Sequence, residues 1–326
     1  MCTLHALEAP LCSIPERLVP VLLIVTCCLL GSLVQAAPPV EGEAVAMALL
    51  DAGASPRRVL RLAQRPGWDQ AATLRVSPEV ETALGSGADQ ESRTEYGPEI
   101  SVPLQVTWAA EAGRGQSRYR VRVGRPEVRA VDEEGAEPAW RLAEVLGAMS
   151  GREGTVVLSG TGQLVQGGLA LGAGASFQLH ALVGTALSSE WFATPQFPES
   201  PVGLGARWAV ARTRGASGLA VVAYELVALH RDHGRVRFQV HTRLPEGSRT
   251  AVVAQGELRF DLRQPFPARL EAVFTSSTAL GMEGHRRLVV TRRTRVSLER
   301  AGALSSRAGE VVAAPWTDEA GEVRAR

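Results

Sequence analysis

The sequence has no lysine and no asparagine, so arginine supplies all 35 of its basic side chains. A Walker-type phosphate-binding loop and a Schiff-base enzyme both need lysine, and an N-glycosylation sequon needs asparagine. The chain therefore contains none of these three kinds of site. Codons for lysine and asparagine are rich in adenine, and we interpret both absences as the signature of a GC-rich genome.

Cysteine is confined to the N-terminal part of the chain, at Cys2, Cys12, Cys27 and Cys28. The remainder has no disulfide, no thiolate metal ligand and no cysteine nucleophile, so its stability must come from burial of apolar side chains. The formal net charge is only +1. Nucleic-acid-binding proteins usually carry a strong excess of basic residues, and this chain does not, so we expect no nucleic-acid partner.

An export signal is predicted at the N-terminus. Residues 18–34 are uncharged and mostly apolar, and Gln35, Ala36 and Ala37 follow them. Small residues stand at −3 and −1 if the chain is cut between Ala36 and Ala37, so we predict cleavage there and a periplasmic or extracellular location. The alternative is an uncleaved anchor, because roughly 17–25 apolar residues can span a bilayer. Membrane contact is expected only through such an uncleaved segment.

From Arg57 onward the dominant pattern is an alternation of apolar and polar residues. It is clear in five segments, namely 100–108, 119–123, 236–240, 258–262 and 296–298. An alternation with a period of two residues indicates strands that are buried on one face only, which is typical of an antiparallel sheet. We therefore predict a mainly β fold.

Two segments, residues 138–150 and 176–192, break this period and have the apolar spacing of helices. In the first, one stripe is formed by four residues: Trp140, Ala143, Leu146 and Met149. We predict that one or two short helices pack on the sheet. Residues 78–98 are polar and flanked by prolines, and we predict a loop there.

The chain is predicted to consist of five parts. They are a signal peptide (1–36), a linker (37–56), an N-terminal β-rich half with helices (57–192), a C-terminal antiparallel β half (193–300) and a flexible tail (301–326). The linker is expected to hold one helical turn or strand at most. The two β halves are similar in outline, which leaves an internal duplication open as an alternative.

A segment rich in proline and glycine, Phe197 to Trp208, precedes the strands of the C-terminal half. Prolines such as Pro201 hold the backbone extended, and Gly203 and Gly205 permit backbone angles that other residues avoid. Trp208 is expected to enter the core as the next strand begins. We interpret the segment as a structural motif.

The same segment resembles the hallmark of a family of secreted bacterial proteins of unknown function. Its members share a Pro-Val-Gly-x-Gly-Ala-x-Trp turn, here residues 201–208, and a Tyr-x-Leu-Val hairpin strand, here residues 224–227. The resemblance covers residues 57–299 in layout and is specific from Phe197 onward. By analogy it implies a fold similar to lipoprotein carriers of the LolA and LolB type. The predicted class is therefore mainly β (α+β), with a curved antiparallel half-barrel or duplicated half-barrel and one or two covering helices.

One segment between two predicted strands, His230 to Gly234, carries potential metal ligands. We interpret it as a hairpin turn in which Gly234 supplies a positive φ. The alternative is a metal site formed by His230, Asp232 and His233, although a closed site needs further ligands. The sequence has no Gly-x-Ser-x-Gly elbow and no His-Glu-x-x-His pattern. We predict no catalytic residue, no cofactor and no bound metal.

Arginines are frequent on the predicted polar strand faces. The set comprises Arg118, Arg120, Arg122, Arg235, Arg237, Arg259, Arg263, Arg292, Arg293 and Arg295. Guanidinium groups bind phosphate well, so these residues could form a patch for lipid phosphates or another anionic envelope polymer. Acidic residues are interspersed with them, and we favour the interpretation of a solvated surface.

The leading hypothesis from the sequence is an exported, non-enzymatic protein that binds an apolar ligand, such as a lipid, or another envelope component. The first alternative is a structural or protein-interaction module of the cell envelope. The second is a hydrolase or metal-dependent enzyme centred on His230 and His233. The sequence does not identify the ligand or the partner.

Overall fold

The fold was analysed in a computed structural model, which describes residues 45–63, 66–85, 91–113, 115–169, 195–213, 219–243, 250–281 and 287–301. It contains fourteen strands and one helix within these ranges. They are β1 (Val45–Asp51), β2 (Asp69–Gly85), β3 (Glu91–Tyr96), β4 (Glu99–Gly113), β5 (Gln116–Val123), β6 (Glu127–Arg129), α1 (Ala136–Gly147), β7 (Glu153–Ser159), β8 (Leu164–Leu169), β9 (Arg207–Thr213), β10 (Leu219–His230), β11 (His233–Arg243), β12 (Thr250–Asp261), β13 (Arg269–Gly281) and β14 (Arg287–Arg300).

All fourteen strands belong to one antiparallel sheet. Its order is β1-β9-β10-β11-β12-β13-β14-β2-β4-β5-β7-β8, with β3 paired to β2 and β6 paired to β4. The two predicted halves meet where β14 pairs with β2, from Arg287 opposite Gly85 to Arg300 opposite Ala72. Because this pairing is fourteen residues long on each strand, the halves share one continuous sheet.

The sheet is strongly curved. The Tyr119 ring of β5 lies 5.7 Å from the ring of Phe266, which precedes β13. Three strands separate β13 from β5, and a flat sheet would place these two strands about 19 Å apart. The contact therefore requires the sheet to bend around its core. The prediction of a mainly β fold with a curved antiparallel sheet and a covering helix is confirmed.

One end of the curved sheet is filled by two extended segments, residues 52–63 and 195–206. The amide of Leu62 donates to the Gly160 carbonyl at 2.7 Å, and that of Ala63 donates to the Leu262 carbonyl at 2.6 Å. These bonds connect the ends of β7 and β12, which lie far apart along the sheet. We call this the plugged end, and we call the opposite end, where β12 begins and β2 ends, the far end.

The core lies on the face that we call the inner face. Its large side chains with almost no exposed surface are Leu60, Leu74, Tyr119, Leu146, Leu158, Phe197, Trp208, Leu226, Phe260, Leu270 and Leu298. Strands and both extended segments contribute to this set, and α1 contributes Leu146. Within the described residues, no helix has the length and hydropathy needed to cross a membrane.

The prediction of a loop over residues 78–98 was wrong, because most of the described part is strand in β2 and β3. Pro78 is accommodated inside β2 where the neighbouring strand changes. Pairing with β4 ends at Val76, and pairing with β3 begins at Glu79. The carbonyl of Pro78 points to the side of β2 where β4 and β3 lie. In an antiparallel strand the N–H and C=O groups of one residue face the same neighbouring strand, so the nitrogen of Pro78 also faces that side. The missing N–H therefore removes no ladder hydrogen bond.

The predicted helix at residues 138–150 is present as α1, but its buried stripe differs from the prediction. Trp140 is 61% exposed, whereas Ala139 and Leu146 are buried and Leu142 packs partly against the core. Successive residues are about 100° apart around a helix, so a packed face centred on Ala139 leaves Trp140 outside it. Met149, also placed on the stripe, is buried just beyond the helix.

The predicted linker, residues 37–56, contains the edge strand β1 in its second part. Residues Val45 to Asp51 pair with β9 over nearly their full length, so this part belongs to the sheet. The predicted helix at 176–192 lies outside the described residues. The same is true of the signal peptide at 1–36 with its cleavage position at Ala36 and Ala37, and of the tail beyond residue 301.

Candidate functional site

The proline- and glycine-rich motif lies at the plugged end and has a clear packing role. Trp208 is fully buried, and its indole Nε1 donates to the Gln196 carbonyl at 2.8 Å. Its ring stacks on Tyr224 with centroids 5.4 Å apart. Pro201 is exposed, in the extended stretch that leads into the turn. These contacts fix the entry of β9 into the sheet.

The two motif glycines are required for different reasons. Gly205 has φ +80°, a left-handed conformation that favours glycine, and open space surrounds the position of a Cβ. A Cβ on Gly203 would lie 1.8 Å from the Ala54 carbonyl oxygen. Gly203 does not have a positive φ, so the prediction of unusual backbone angles holds for Gly205 and was wrong for Gly203. At Gly203 the reason is the close approach of another chain segment.

The turn between β10 and β11 does not use Gly234 in the predicted way. The residue with positive φ is Arg231, at 50°, whereas Gly234 lies within β11. A Cβ on Gly234 would lie 2.2 Å from Cζ of Phe260. The prediction of a positive φ at Gly234 was therefore wrong, and the glycine instead makes room for a buried aromatic ring.

His233 faces a buried carboxylate and a guanidinium. Its Nε2 lies 3.4 Å from Oδ2 of Asp261 and 2.9 Å from Nη2 of Arg263. A cation this close disfavours a metal ion at the same nitrogen. Across the part of the chain that the structure describes, no three His, Cys, Asp or Glu side chains are grouped as a metal site requires. His230 is exposed at the end of β10.

The Asp261 carboxylate is 1% exposed and is held by Arg263. Arg263 donates to it from the backbone N, from Nε and from Nη2, each at 3.0 Å. Burial alone would raise the pKa of Asp261, but the hydrogen bonds and charge of Arg263, together with His233, lower it below the ordinary value. The cluster is a satisfied ion pair that closes the ends of β11 and β12.

A groove of about 390 Å³ lies beside this cluster at the plugged end. Three arginines and one carboxylate line it together with three apolar residues: Arg58, Arg61, Arg263, Asp232, Val59, Ala63 and Leu262. The positive excess favours an anion. Arg263 already binds Asp261 and Arg61 is exposed to solvent, whereas the buried Nη2 of Arg58 has no hydrogen-bond partner among the described residues.

The inner face is built from cross-strand rows of side chains. The row that we number first, close to the plugged end, is all aliphatic and buried, and it consists of Leu226, Val236, Leu258, Leu270, Leu298 and Leu74. The second row contains Tyr224, Phe238, Gly256, Ala272, Val296 and Val76, and the third contains Val222, Val240, Ala254, Phe274, Thr294 and Pro78. An apolar surface thus runs along the inner face toward the far end.

Burial becomes incomplete along this surface. Val240 and Phe274 in the third row are half-buried, and so is Met47, which continues this row on the edge strand β1. Two rows further, hydroxyl groups replace the leucines of the plugged end. Thr278 and Thr82 lie in that fifth row, Ser276 lies in the fourth and Thr294 in the third, and all four are half-buried. The inner face therefore changes from a filled core to an accessible surface with both apolar and polar groups.

Arg292 lies on this inner face, although the sequence pattern placed it on a polar strand face with Arg293 and Arg295. It shares the alternation of the buried residues Val290 and Val296, and it pairs with Ser276 on β13 and Val80 on β2. The prediction for Arg292 was wrong because Arg292 and Arg293 are both polar, so the pair shows no alternation of apolar and polar residues that would assign one of them to the inner face. Its neighbours with odd numbers do lie on the outer face.

Comparisons with known proteins give no relative in sequence, since no family model and no curated protein matches the chain. Among solved structures, it is similar to lipovitellin in a study of lipid–protein interactions, with TM-score 0.36 and 9% identity over 72% of this chain and 25% of that chain. The chain thus spans about a quarter of the lipovitellin chain.

Two further similarities are weaker. The attachment invasion locus protein Ail of Yersinia pestis, in complex with the heparin analogue sucrose octasulfate, matches with TM-score 0.15 and 6% identity over 70% of this chain and 99% of that chain. A deltaS2 mutant of the monoaromatic hydrocarbon channel TodX matches with TM-score 0.17 and 9% identity over 73% of this chain and 90% of that chain. TM-scores this low support no inference about function.

Proposed function

We propose that this chain is an exported, non-enzymatic protein that binds an apolar ligand on the inner face of its curved sheet, toward the far end. The observation that carries the proposal is the incomplete burial of two large apolar side chains in the third row. Val222 and Ala254 are buried, whereas Val240 and Phe274 in the same row stay half-buried. Together with Met47 they offer apolar surface that the protein itself does not fully cover.

Burial of this surface by a ligand is favourable for the same reason that core burial is. Apolar surface removed from water contributes roughly 25 cal/mol per Å², and a concave sheet surrounds a ligand from several strands at once. The export part of the proposal is supported by the apolar segment 18–34 and the small residues around Ala36. The resemblance of residues 201–208 to a family of secreted proteins also supports export.

A matched pair of valines tests the proposal. Val240 lies on the inner face, whereas Val253, on the neighbouring strand, lies on the outer face and is 43% exposed. We expect the neutral apolar probe N-phenyl-1-naphthylamine to bind the purified protein with a rise in fluorescence. Val240→Gln should weaken this binding about tenfold, because an amide would be desolvated against the probe. Val253→Gln should leave it unchanged.

Absence of any probe binding by the wild-type protein would contradict the proposal, and so would equal effects of the two substitutions. Urea unfolding of each variant serves as the control for folding. A Val240→Gln protein that unfolds at the wild-type midpoint and still loses the probe places the site on the inner face.

A second candidate is a protein-interaction module, and the edge strand β1 favours it. Among the described strands, β1 ends the sheet, with one side unpaired, and Leu49 and Leu50 on it are 38% and 63% exposed. Such an edge is a template for a further strand. Sedimentation analysis tests this: a dimer that Leu50→Arg dissociates, in a protein that binds no apolar probe, would favour this candidate.

A further inference from the structure

Arg292 differs from Arg293 and Arg295 on the same strand in that it has no hydrogen bond or ion pair to another described residue. The buried Nε atom of Arg292 makes no hydrogen bond. On the outer face of the same strand, Arg293 binds Glu79 at 3.1 Å and Glu81 at 3.3 Å. Arg295 approaches Glu79 at 3.9 Å. Arg293 and Arg295 are therefore close to a glutamate of the protein, whereas Arg292 on the same strand is not.

Among the residues that the structure describes, none supplies a carboxylate that pairs with Arg292. Its direct cross-strand neighbours are Ser276 and Val80, and Val80 is buried. The nearest acidic residue in this row is Glu95 on β3, two strands away, which binds Arg93 at 3.1 Å. A guanidinium whose donors are partly removed from water without an acceptor is destabilising unless an anion binds it.

Hydroxyl groups around Arg292 complete a polar zone next to the apolar surface. Ser276 lies opposite it on β13, Thr294 follows it two positions along β14, and Thr278 lies diagonally across. All three are half-buried. Guanidinium and hydroxyl donors together suit the oxygens of a carboxylate or phosphate. The third row, with Val240 and Phe274, lies immediately beside this zone.

We propose that the far end of the inner face binds an amphiphile with an acidic headgroup, a carboxylate or a phosphate, which contacts Arg292 while its apolar chain lies on the third row. This inference rests on the proposed function and specifies its ligand class. The charge of Arg292 complements the headgroup, and the apolar row complements the chain. The selectivity for acidic over neutral amphiphiles comes from Arg292.

Three ligands with the same ten-carbon chain test the inference: decanoate, decyl phosphate and 1-decanol. Their affinities for the protein purified from cells that express the full chain are measured by isothermal titration calorimetry. We expect at least one of the two acidic ligands to bind about tenfold more tightly than decanol, because hydrogen bonds to charged groups are the stronger ones. The acidic ligand that exceeds decanol in affinity by the larger factor indicates whether the site prefers a carboxylate or a phosphate headgroup.

Arg292→Gln should abolish this preference and leave the affinity for decanol unchanged. Arg292→Lys, which keeps the charge but not the planar fork, should retain part of it. Arg293→Gln is the matched control on the outer face and should keep the full preference. Equal binding of all three ligands by the wild-type protein, or a preference that survives Arg292→Gln, would overturn the inference and leave the proposed function standing. Failure of all three ligands to bind would overturn the inference, and it would overturn the proposed function as well if N-phenyl-1-naphthylamine also fails to bind.

Discussion

The plugged end and the far end of the sheet use the same strands for different purposes. At the plugged end, aromatic and aliphatic side chains fill the inner face, and two extended segments close it with backbone hydrogen bonds such as Phe197 to the Thr161 carbonyl at 2.8 Å. At the far end, several residues of the same alternation remain half-buried, hydroxyls replace leucines, and the buried Nε of Arg292 has no hydrogen-bond partner among the described residues.

This difference teaches that stability and ligand binding are separated along the strands. Fully buried side chains contribute most to stability because they leave water completely. Half-buried side chains contribute less and keep surface available for a ligand. Substitutions at the plugged end should therefore change stability, whereas those at the far end should change binding, and matched substitutions can test this division.

The largest expected effect compares two phenylalanines. Phe260 is 2% exposed and contacts the Phe197 ring with centroids 5.0 Å apart, whereas Phe274 at the far end is half-buried. Phe260→Ala should lower the free energy of unfolding by about 3–5 kcal/mol, the usual cost of a large cavity in a core. Phe274→Ala should cost about half as much or less. Urea unfolding measures both, and equal losses would remove the distinction between the ends.

The next effect compares the two motif glycines at the plugged end. Gly203→Ala should destabilise the protein by about 3 kcal/mol or more, because the new Cβ would meet the Ala54 carbonyl and force two backbone segments apart. Gly205→Ala meets no atom and should cost only about 1–2 kcal/mol for its positive φ. Thermal or urea unfolding measures the loss of stability in both variants. A larger loss for Gly205→Ala would show that the backbone around Gly203 and Ala54 shifts easily to make room for the new Cβ.

Asp261 gives a smaller effect that depends on pH. Its pKa in the folded protein is below the ordinary value of 3.8, so the unfolded state binds the proton more readily. The stabilisation is therefore fully present above that ordinary value and is lost as the pH falls through the lower folded pKa. We expect Asp261→Asn to lose about 1.5–3 kcal/mol at neutral pH, and less in acid.

The matched control is Asp232→Asn, since the Asp232 carboxylate is half-exposed and lies 3.9 Å from Nε of Arg263. An ion pair of this kind contributes about 0–1 kcal/mol. Unfolding of both variants from pH 7 down to pH 3 tests the assignment. A loss for Asp261→Asn that stays constant across this range would show that its carboxylate charge is not responsible.

The smallest effect is expected on the outer face. Arg293→Gln removes ion pairs to Glu79 and Glu81, but the Arg293 side chain is 45% exposed, so the loss should stay below about 1 kcal/mol. The free energy of unfolding in low and high salt checks this value, because screening should erase the difference. A larger loss would mean that the outer face also holds part of the sheet together.

Much of the fold follows from the sequence because alternation is a local signal. The strands around Ile100, Val236 and Leu258 can be predicted, since each has one apolar and one polar face. Residues 78–98 were missed because proline and acidic residues obscure the pattern, although Pro78 fits where β2 changes its neighbour. The curvature and the single sheet depend on the pairing of β14 with β2, which no local pattern reveals.

The candidate site was harder to predict. The sequence drew attention to His230, Asp232 and His233, but the structure engages His233 with Asp261 and Arg263. The adjacent pair Arg292-Arg293 does not by itself indicate which arginine points inward, and the prediction therefore places both on a polar face. Extending the alternation of Val296 and Leu298 backwards by two and four residues would have placed Arg292 on the inner face, and that signal was available.

The most direct measurement is native mass spectrometry of the protein purified under mild conditions from cells that express the full chain. An occupied inner face should appear as a bound small molecule with an apolar chain. Val240→Gln should lose this mass, and Val253→Gln should keep it. A wild-type protein that repeatedly carries no such molecule and takes up none when one is supplied would contradict the account.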